Sequence, residues 1–343
     1  MTRLKLLIIS LLIVLAVPTA HASKQPLGDI AFVRNGDIYT VTLDGKLVRQ
    51  LTTDGRNAFP MWSPNGRYIA FSKASIPVGG QYKSAAIWII TSDGKYQKAL
   101  TKFQRFQGHY PTAWLSNSRG IIYTDWALDS DVGSEFKVAY LSKARNPNAP
   151  VDQWTRTIKR AGLHSKPPHM PGGALAFSPS YSKVIFMGSA RESDNGYPIY
   201  DLYMMNADGS GVRRVEKLEH KYIECLRWNP TSGILSAEKH YLGNLKSESG
   251  IWLRDSKGKT LKKIADLSQP SFYEMDWSPK GDRIIYQMSE PGYPAGNLDP
   301  LYSGFEHPEN FAVMSQKSAV WILKADGSEK RRFASNACHP NWR

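Results

Sequence analysis

The five C-terminal residues, His339-Pro340-Asn341-Trp342-Arg343, constrain this chain more than any other stretch. They supply one half of a repeat whose other half lies at the opposite end of the sequence. Elsewhere the chain repeats an aromatic residue, a Ser-Pro-x-Gly-like turn, an Ile-Ala-Phe-like strand, an Ile-Tyr or Ile-Trp pair, and an Asp-Gly turn. The C-terminus supplies the aromatic and stops. The strand that should follow it is Asp29-Ile30-Ala31-Phe32-Val33, which runs on to Ile38-Tyr39 and Asp44-Gly45. A chain that opens mid-repeat and closes with the missing piece is expected to join its ends around a ring.

The register recurs along the chain. Trp62-Ser63-Pro64-Asn65-Gly66 leads to Ile69-Ala70-Phe71, Ile87-Trp88 and Asp93-Gly94. Trp114 precedes Ile121-Ile122-Tyr123 and then Phe136 and Val138. Phe177-Ser178-Pro179 leads to Val184-Ile185-Phe186, Leu202-Tyr203 and Asp208-Gly209. Trp228-Asn229-Pro230 leads to Ile234-Leu235, Ile251-Trp252 and Lys257-Gly258, and Trp277-Ser278-Pro279 to Ile284-Ile285-Tyr286, Val320-Trp321 and Asp326-Gly327. Trp342 is the sixth anchor. Anchors lie between 49 residues (Trp228 to Trp277) and 65 residues (Trp277 to Trp342) apart, which suits propeller blades with inserts. The expectation is an all-β, six-bladed β-propeller over 23–343. Each blade has four strands, and the C-terminal strand closes the ring on the N-terminal ones. Neighbouring blades complete a core that one sheet cannot bury alone.

Residues 1–22 have the pattern of a secretory signal: Arg3 and Lys5, an apolar core from Leu6 to Val17, and Ala20-His21-Ala22 as a small-x-small cleavage site. Cleavage after Ala22 and a periplasmic address are expected. The apolar core is short for a membrane span and no later segment approaches the length needed, so the mature protein is not expected to span one. Ser23, not a cysteine, stands directly after the cleavage site. Cys225 and Cys338 precede the anchors of the fourth and sixth repeats, too far apart for a disulfide, and free thiols are expected.

The formal net charge is +14, and much of the excess falls just past the Asp-Gly turns: Arg49, Lys98, Arg213-Arg214, Lys262-Lys263 and Lys330-Arg331-Arg332. That phase is the outermost strand of each blade. Lysine and arginine there block edge-to-edge pairing. A belt of charge spread round a circumference makes a poor groove for a duplex, so no nucleic-acid partner is expected.

In a blade running from inner to outer strand, the first and third turns share one face. The second connections and the inter-blade connections share the other. The first set is short, being the Ser-Pro-x-Gly and Asp-Gly turns. The second set reads as long in every repeat, with intra-blade connections near 73–86, 125–135, 189–200, 239–250 and 289–318, and inter-blade ones at 102–112 and 161–172. These carry Tyr82, Phe103, Phe106, Tyr110, Trp126, Tyr197, Tyr200, Tyr241, Phe272, Tyr273, Tyr293, Tyr302 and Phe305. Long aromatic loops on one side of a rigid scaffold suit a contact surface.

Just before the inner strands stand His109, His169, Glu224, Glu274 and His339, expected to line the channel mouth on that face. Imidazoles and carboxylates on one axis suit a divalent metal such as zinc or manganese, or acid–base chemistry on a threaded polymer. They equally suit a water-filled polar channel, and no metal ligand or other cofactor is assigned. The acidic run from Asp129 to Glu135, with Asp125 before it, lacks the spacing of a calcium loop and reads as an exposed acidic loop. No Gly-x-Ser-x-Gly elbow or phosphate-binding glycine loop occurs.

The blades, above all Trp62-Ser63-Pro64-Asn65-Gly66-Arg67-Tyr68-Ile69-Ala70-Phe71 and Ala207-Asp208-Gly209-Ser210-Gly211-Val212-Arg213-Arg214, resemble those of the TolB-type propeller family. The resemblance spans Gly28 to Arg343. It implies a periplasmic propeller whose channel-mouth face binds a lipoprotein, here without the family's N-terminal α/β domain. Similar propellers gate prolyl-oligopeptidase-type peptidases, whose hydrolase domain is not found here. Others form oligogalacturonate lyases, whose His-x-His metal pair is likewise not found. Two functions follow. The first is a non-catalytic, monomeric periplasmic protein that engages a protein or envelope component. Its contact residues would be His109, Tyr110, His169, Glu224, Tyr273, Glu274, Tyr293, Tyr302, Phe305 and His339. The second is a metal-dependent polysaccharide lyase using the mouth histidines.

Overall fold

The computed structural model describes residues 28–76, 84–105, 107–127, 135–142, 175–192, 198–218, 221–231, 233–242, 246–267, 274–289 and 316–343. Every element defined in them is a β-strand. The predicted repeats fall into antiparallel meanders, each opening on the strand that carries the anchor. One sheet combines β1 (Ile30–Arg34), β2 (Asp37–Val41) and β3 (Val48–Gln50) with β23 (Cys338–Trp342), in the order β23-β1-β2-β3. Trp342 stands opposite Ile30, the register that the half-repeats require.

The next meander is β4 (Asn57–Trp62), β5 (Tyr68–Ala74), β6 (Ser84–Thr91) and β7 (Gln97–Ala99), followed by β8 (Gln107–Trp114), β9 (Gly120–Ala127) and β10 (Glu135–Tyr140). A short parallel pairing of Ser84 with Gln107 and Ala85 with Gly108 fuses these two units into one seven-stranded sheet. The pairing arises because β7 covers only Trp88 to Ile90 of β6, leaving the start of β6 open to the incoming β8. The fourth strand expected for the second repeat, that of Trp114, falls within 143–174, outside the described residues. Three four-stranded sheets complete the chain. They are β11 (Leu175–Phe177) to β14 (Arg213–Lys217) through β12 (Lys183–Glu192) and β13 (Pro198–Asn206); β15 (Lys221–Trp228) to β18 (Thr260–Asp266) through β16 (Ile234–Leu242) and β17 (Lys246–Arg254); and β19 (Met275–Trp277) to β22 (Arg331–Ser335) through β20 (Arg283–Ser289) and β21 (Ser318–Lys324).

The core lies between units rather than within them. Ala31 and Ile38 pack with Trp62, Ile69 and Phe71. Ile87 and Ile89 pack with Trp114 and Ile121, and Ile122 and Phe136 with Leu175 and Phe186. Ile185 and Leu202 meet Ile223 and Leu226, and Cys225 and Ile251 meet Met275 and Trp277. A further cluster unites Ile285, Val320 and Ile322 with Ile30, Phe32 and Trp342. Each sheet thus covers its neighbour's apolar face.

Turn chemistry matches the sequence reading. Gly66 and Gly281 adopt φ of 64° and 70° at the ends of the Ser-Pro-x-Gly turns, a region that costs a Cβ-bearing residue energy. Asn229 donates from Nδ2 to the Gly281 carbonyl at 3.0 Å, tying adjacent short turns together. The outer-strand cations stack on third-strand aromatics: Lys263 over Trp252 at 5.5 Å, and Lys330 and Arg332 over Trp321 at 5.1 and 5.4 Å. Cation–π contact gives the charged belt a packing role in addition to edge protection.

The connections on the opposite face differ in part from the sequence reading: the one read at 289–318 does fall between β20 and β21, but others are shorter. Strands run further than expected, so that β16 and β17 leave only 243–245 between them, and 239–250 is no loop. Tyr110, Trp126, Tyr200 and Tyr241 accordingly sit in β8, β9, β13 and β16. Long strands win there because the ladder continues to pair backbone groups that a loop would expose. Among the described residues no helix is long and apolar enough to cross a membrane.

Candidate functional site

The six anchors, Trp62, Trp114, Phe177, Trp228, Trp277 and Trp342, all line one cavity of about 450 Å³ beside the short Ser-Pro turns. Their strands each lie at the inner edge of a meander. One position earlier in each stand Met61, Ala113, Ala176, Arg227, Asp276 and Asn341, which line the same cavity. Half of this ring is polar and half apolar.

The polar half is tied together by hydrogen bonds. The Asp276 carboxylate accepts from Asn341 Nδ2 at 2.8 Å and from the backbone N–H groups of Trp342 and Trp277, both at 2.9 Å. Asn341 Oδ1 in turn accepts from Trp62 N–H at 2.7 Å. The relay links β19 to β23 and β23 to β4. Burial pushes the Asp276 carboxyl above the usual carboxylate range, against the pull of Arg227.

Towards the other end the axis narrows to a space of about 10 Å³, lined by Phe59, Pro60, Pro111, Arg227, Glu274 and His339 among others. That volume holds at most about one water. Phe59 and His339 both take left-handed backbone, φ 55° and 49°, where β4 and β23 carry bulges. The extra residue re-aims a side chain. Such conformations are outliers for a residue as bulky as Phe. The two rings lie 4.1 Å apart, and Tyr110 meets Phe59 edge-on at 5.6 Å.

His339 is only 1% exposed. Its N–H donates to Gln287 Oε1 at 3.0 Å, its Nε2 has no partner, and burial lowers its pKa to about 3. It is a neutral, packed imidazole. Glu274 is half-buried and pairs with Arg227 at 3.0 Å. Burial, with neighbouring Asp276, outweighs that cation and raises its pKa.

His109 does not join them. It lies within β8, 3% exposed, with Nδ1 at 2.8 Å from Thr101 Oγ1 and its ring against Tyr123. Its Nε2 stands 3.3 Å from Asp125 Oδ1, at ion-pair distance but off hydrogen-bond geometry. Asp125 also pairs with Lys137. Burial pushes its carboxyl up, but His109 and Lys137 outweigh this and hold it low. Asp125 is therefore a strand residue committed to its neighbours, while 129–134 of the acidic run lie outside the described residues. Tyr110 packs with Phe59, Val33 and Cys338. Glu224 falls within β15 rather than before it. His169, Tyr273, Tyr293, Tyr302 and Phe305 lie outside the described residues. Among those described, no three His, Cys, Asp or Glu side chains come close enough to hold a metal ion. Cys225 and Cys338 are free and fully buried.

Sequence reasoning missed Phe59, Arg227, Asp276 and Asn341. The available signal was an aromatic-Pro step three residues before the anchor, in Phe59-Pro60-Met61-Trp62 and His339-Pro340-Asn341-Trp342. Proline has no N–H to offer a ladder, and it marks bulges on inner edges.

No family profile matches the sequence, and no curated protein matches it. Solved structures do. A putative TolB from Agrobacterium tumefaciens is similar at TM-score 0.50 and 15% identity, over 89% of this chain and 87% of that one. A chain of the nidogen/laminin complex is similar at TM-score 0.54 and 9% identity, over 91% and 97%. An oligogalacturonate lyase from Vibrio parahaemolyticus matches at TM-score 0.43 and 11% identity, over 87% and 71%. At identities this low the first two likenesses speak to the fold alone, a β-propeller.

Proposed function

We propose that the chain is a stand-alone TolB-like propeller of six blades, closed into one ring by β23, that binds rather than transforms its partner. Support for the ring comes from the convergence of all six anchors on one cavity and from the cluster joining Trp342 to Ile30 and Ile322. The partner is a periplasmic protein or envelope component, met on the face of the long connections. Export through residues 1–22, with cleavage after Ala22, places the protein there, and it acts as a monomer.

One observation carries the binding reading. The described polar groups near the axis are already committed to holding the ring: Glu274 to Arg227, Asp276 to β23, and His339 to Gln287 and Phe59. General acid–base chemistry needs a group within reach of substrate and poised to exchange a proton. A neutral His339 packed beneath an aromatic ring is not poised in that way.

The test compares Tyr302→Ala/Phe305→Ala with the wild type in crosslinking capture from native envelopes. Capture should fall at least tenfold while the melting curve is unchanged, as for loss of an aromatic hot spot. Normal capture by the double variant overturns the choice of face. Manganese-dependent release of unsaturated products from polygalacturonate overturns the non-catalytic reading. N-terminal sequencing of the exported protein that finds residues 1–22 retained overturns the assigned address.

A further inference from the structure

Four of the short turns close in the same way and differ at one position. Ser63, Leu115, Ser178 and Ser278 donate to the carbonyls of Tyr68, Gly120, Lys183 and Arg283, each at 2.9 Å. Three residues on, Gly66, Ser118, Tyr181 and Gly281 donate back to Ser63, Leu115, Ser178 and Ser278 at 2.8 or 2.9 Å. That position is left-handed in all four, with φ of 64°, 57°, 54° and 70°. Glycine holds it without steric cost and serine is small, but a tyrosine there is an outlier. Strain of this kind collects at functional sites.

Tyr181 lines the cavity of about 450 Å³ and stacks on the Phe177 anchor, with ring centroids 5.4 Å apart and planes 30° from parallel. Its hydroxyl meets no hydrogen-bonding group among the described residues. The anchors are not equally covered. Trp62, Trp114, Trp277 and Trp342 are buried, whereas Phe177 and Trp228 are half-buried. Arg343 lies over the Trp62 ring at 5.6 Å, and the Trp114 indole donates to the Met61 carbonyl at 3.0 Å. The aromatic surface open to the cavity is therefore concentrated at Tyr181, Phe177 and Trp228, on two sheets that pack together.

We propose that Tyr181, Phe177 and Trp228 form a binding platform for a neutral sugar ring. The flat face of an aromatic ring takes the C–H face of a pyranose, and the phenol supplies a polar handle for the hydroxyls at the sugar's edge. A hydrocarbon of the same size leaves that hydroxyl without a partner. A charged ligand finds the nearby charges already committed. Glu274 and the Leu226 carbonyl hold the Arg227 guanidinium, and Asp276 accepts from Asn341, Trp342 and Trp277. A volume of about 450 Å³ lies within the range of small-molecule sites. The shared chemistry is a neutral pyranose, whether a free ring or part of a glycan chain. The platform faces the short turns, away from the long connections, so this reading and the proposed partner face can fail independently.

Five tryptophans line the cavity, the half-buried Trp228 among them, and their fluorescence reports occupancy. The wild type is titrated with N-acetylglucosamine, triacetylchitotriose, maltotriose and indole. At least one sugar should bind saturably. A trimer that binds at least tenfold more tightly than the single ring assigns the platform to glycan chains, and a smaller difference assigns it to a free ring. Tyr181→Gly installs the residue that two sister turns already carry. It should still melt cooperatively, while sugar affinity falls at least tenfold. No saturation by any sugar, saturation by indole alone, or full sugar affinity in Tyr181→Gly each overturns the proposal. The titration of the wild type needs no variant and stands even if Tyr181→Gly fails to fold.

Discussion

His339 offers the sharpest test of how the channel mouth is built. Its imidazole stays neutral in the folded protein down to about pH 3, against an ordinary value of 6.5, because burial penalises the charged form. The unfolded chain therefore binds one more proton across that window, and stability falls as pH drops through it. One proton corresponds to about 1.4 kcal/mol per pH unit below the unfolded value, or about 2 kcal/mol at pH 5. His339→Asn removes the titration while keeping a residue that tolerates the φ of 49°. Urea unfolding of both proteins at pH 8, 7, 6 and 5 measures the difference. The gap between them should be constant above about pH 7 and shift by about 2 kcal/mol in favour of the variant by pH 5. Parallel profiles would refute the reasoning. They would mean that the imidazole takes a proton inside the folded ring, which requires water or a counter-charge at the mouth.

Three further outcomes follow from the packing. Deleting 339–343 strips Trp342 from its cluster with Ile30, Phe32 and Ile322 and leaves β1 unpaired on one side, so the cooperative thermal transition should collapse. A melting curve like that of the full chain would remove the case for closure. Arg254 is 0% exposed, pairs with Glu216 and donates to the Gly258 carbonyl at 2.8 Å. Arg254→Ala should cost about 3 kcal/mol in denaturant unfolding, as for a broken buried pair, and a loss below about 1 kcal/mol would show the pair to be dispensable. Burial raises the Cys225 thiol to about 12 and Cys338 upward likewise, so neither should react with iodoacetamide until the chain unfolds. Rapid labelling of the native protein, read by mass spectrometry, would contradict that.

The anchors, hairpins and turn glycines were legible from the residues alone because each depends on its own meander. Trp62-Ser63-Pro64-Asn65-Gly66 makes its turn whatever surrounds it, and alternating apolar residues in Ile69-Ala70-Phe71 need only some neighbouring sheet. The outer-strand cations were legible for the same reason, since edge exposure follows from the order of strands. The half-repeats at the two termini even set the pairing of Trp342 with Ile30.

What each inner-strand side chain does was decided elsewhere. His109 and His339 occupy similar places in their repeats. The bulge in β23 and the stack on Phe59 leave His339 at the axis, whereas Thr101, Tyr123 and Asp125 hold His109 within its own unit. Asp276 and Asn341 gained their roles from backbone donors in the next unit, some fifty or more residues away along the chain. Hydrogen bonds of that kind leave no local periodicity. Only the closing of neighbouring sheets brought the donors to their acceptors.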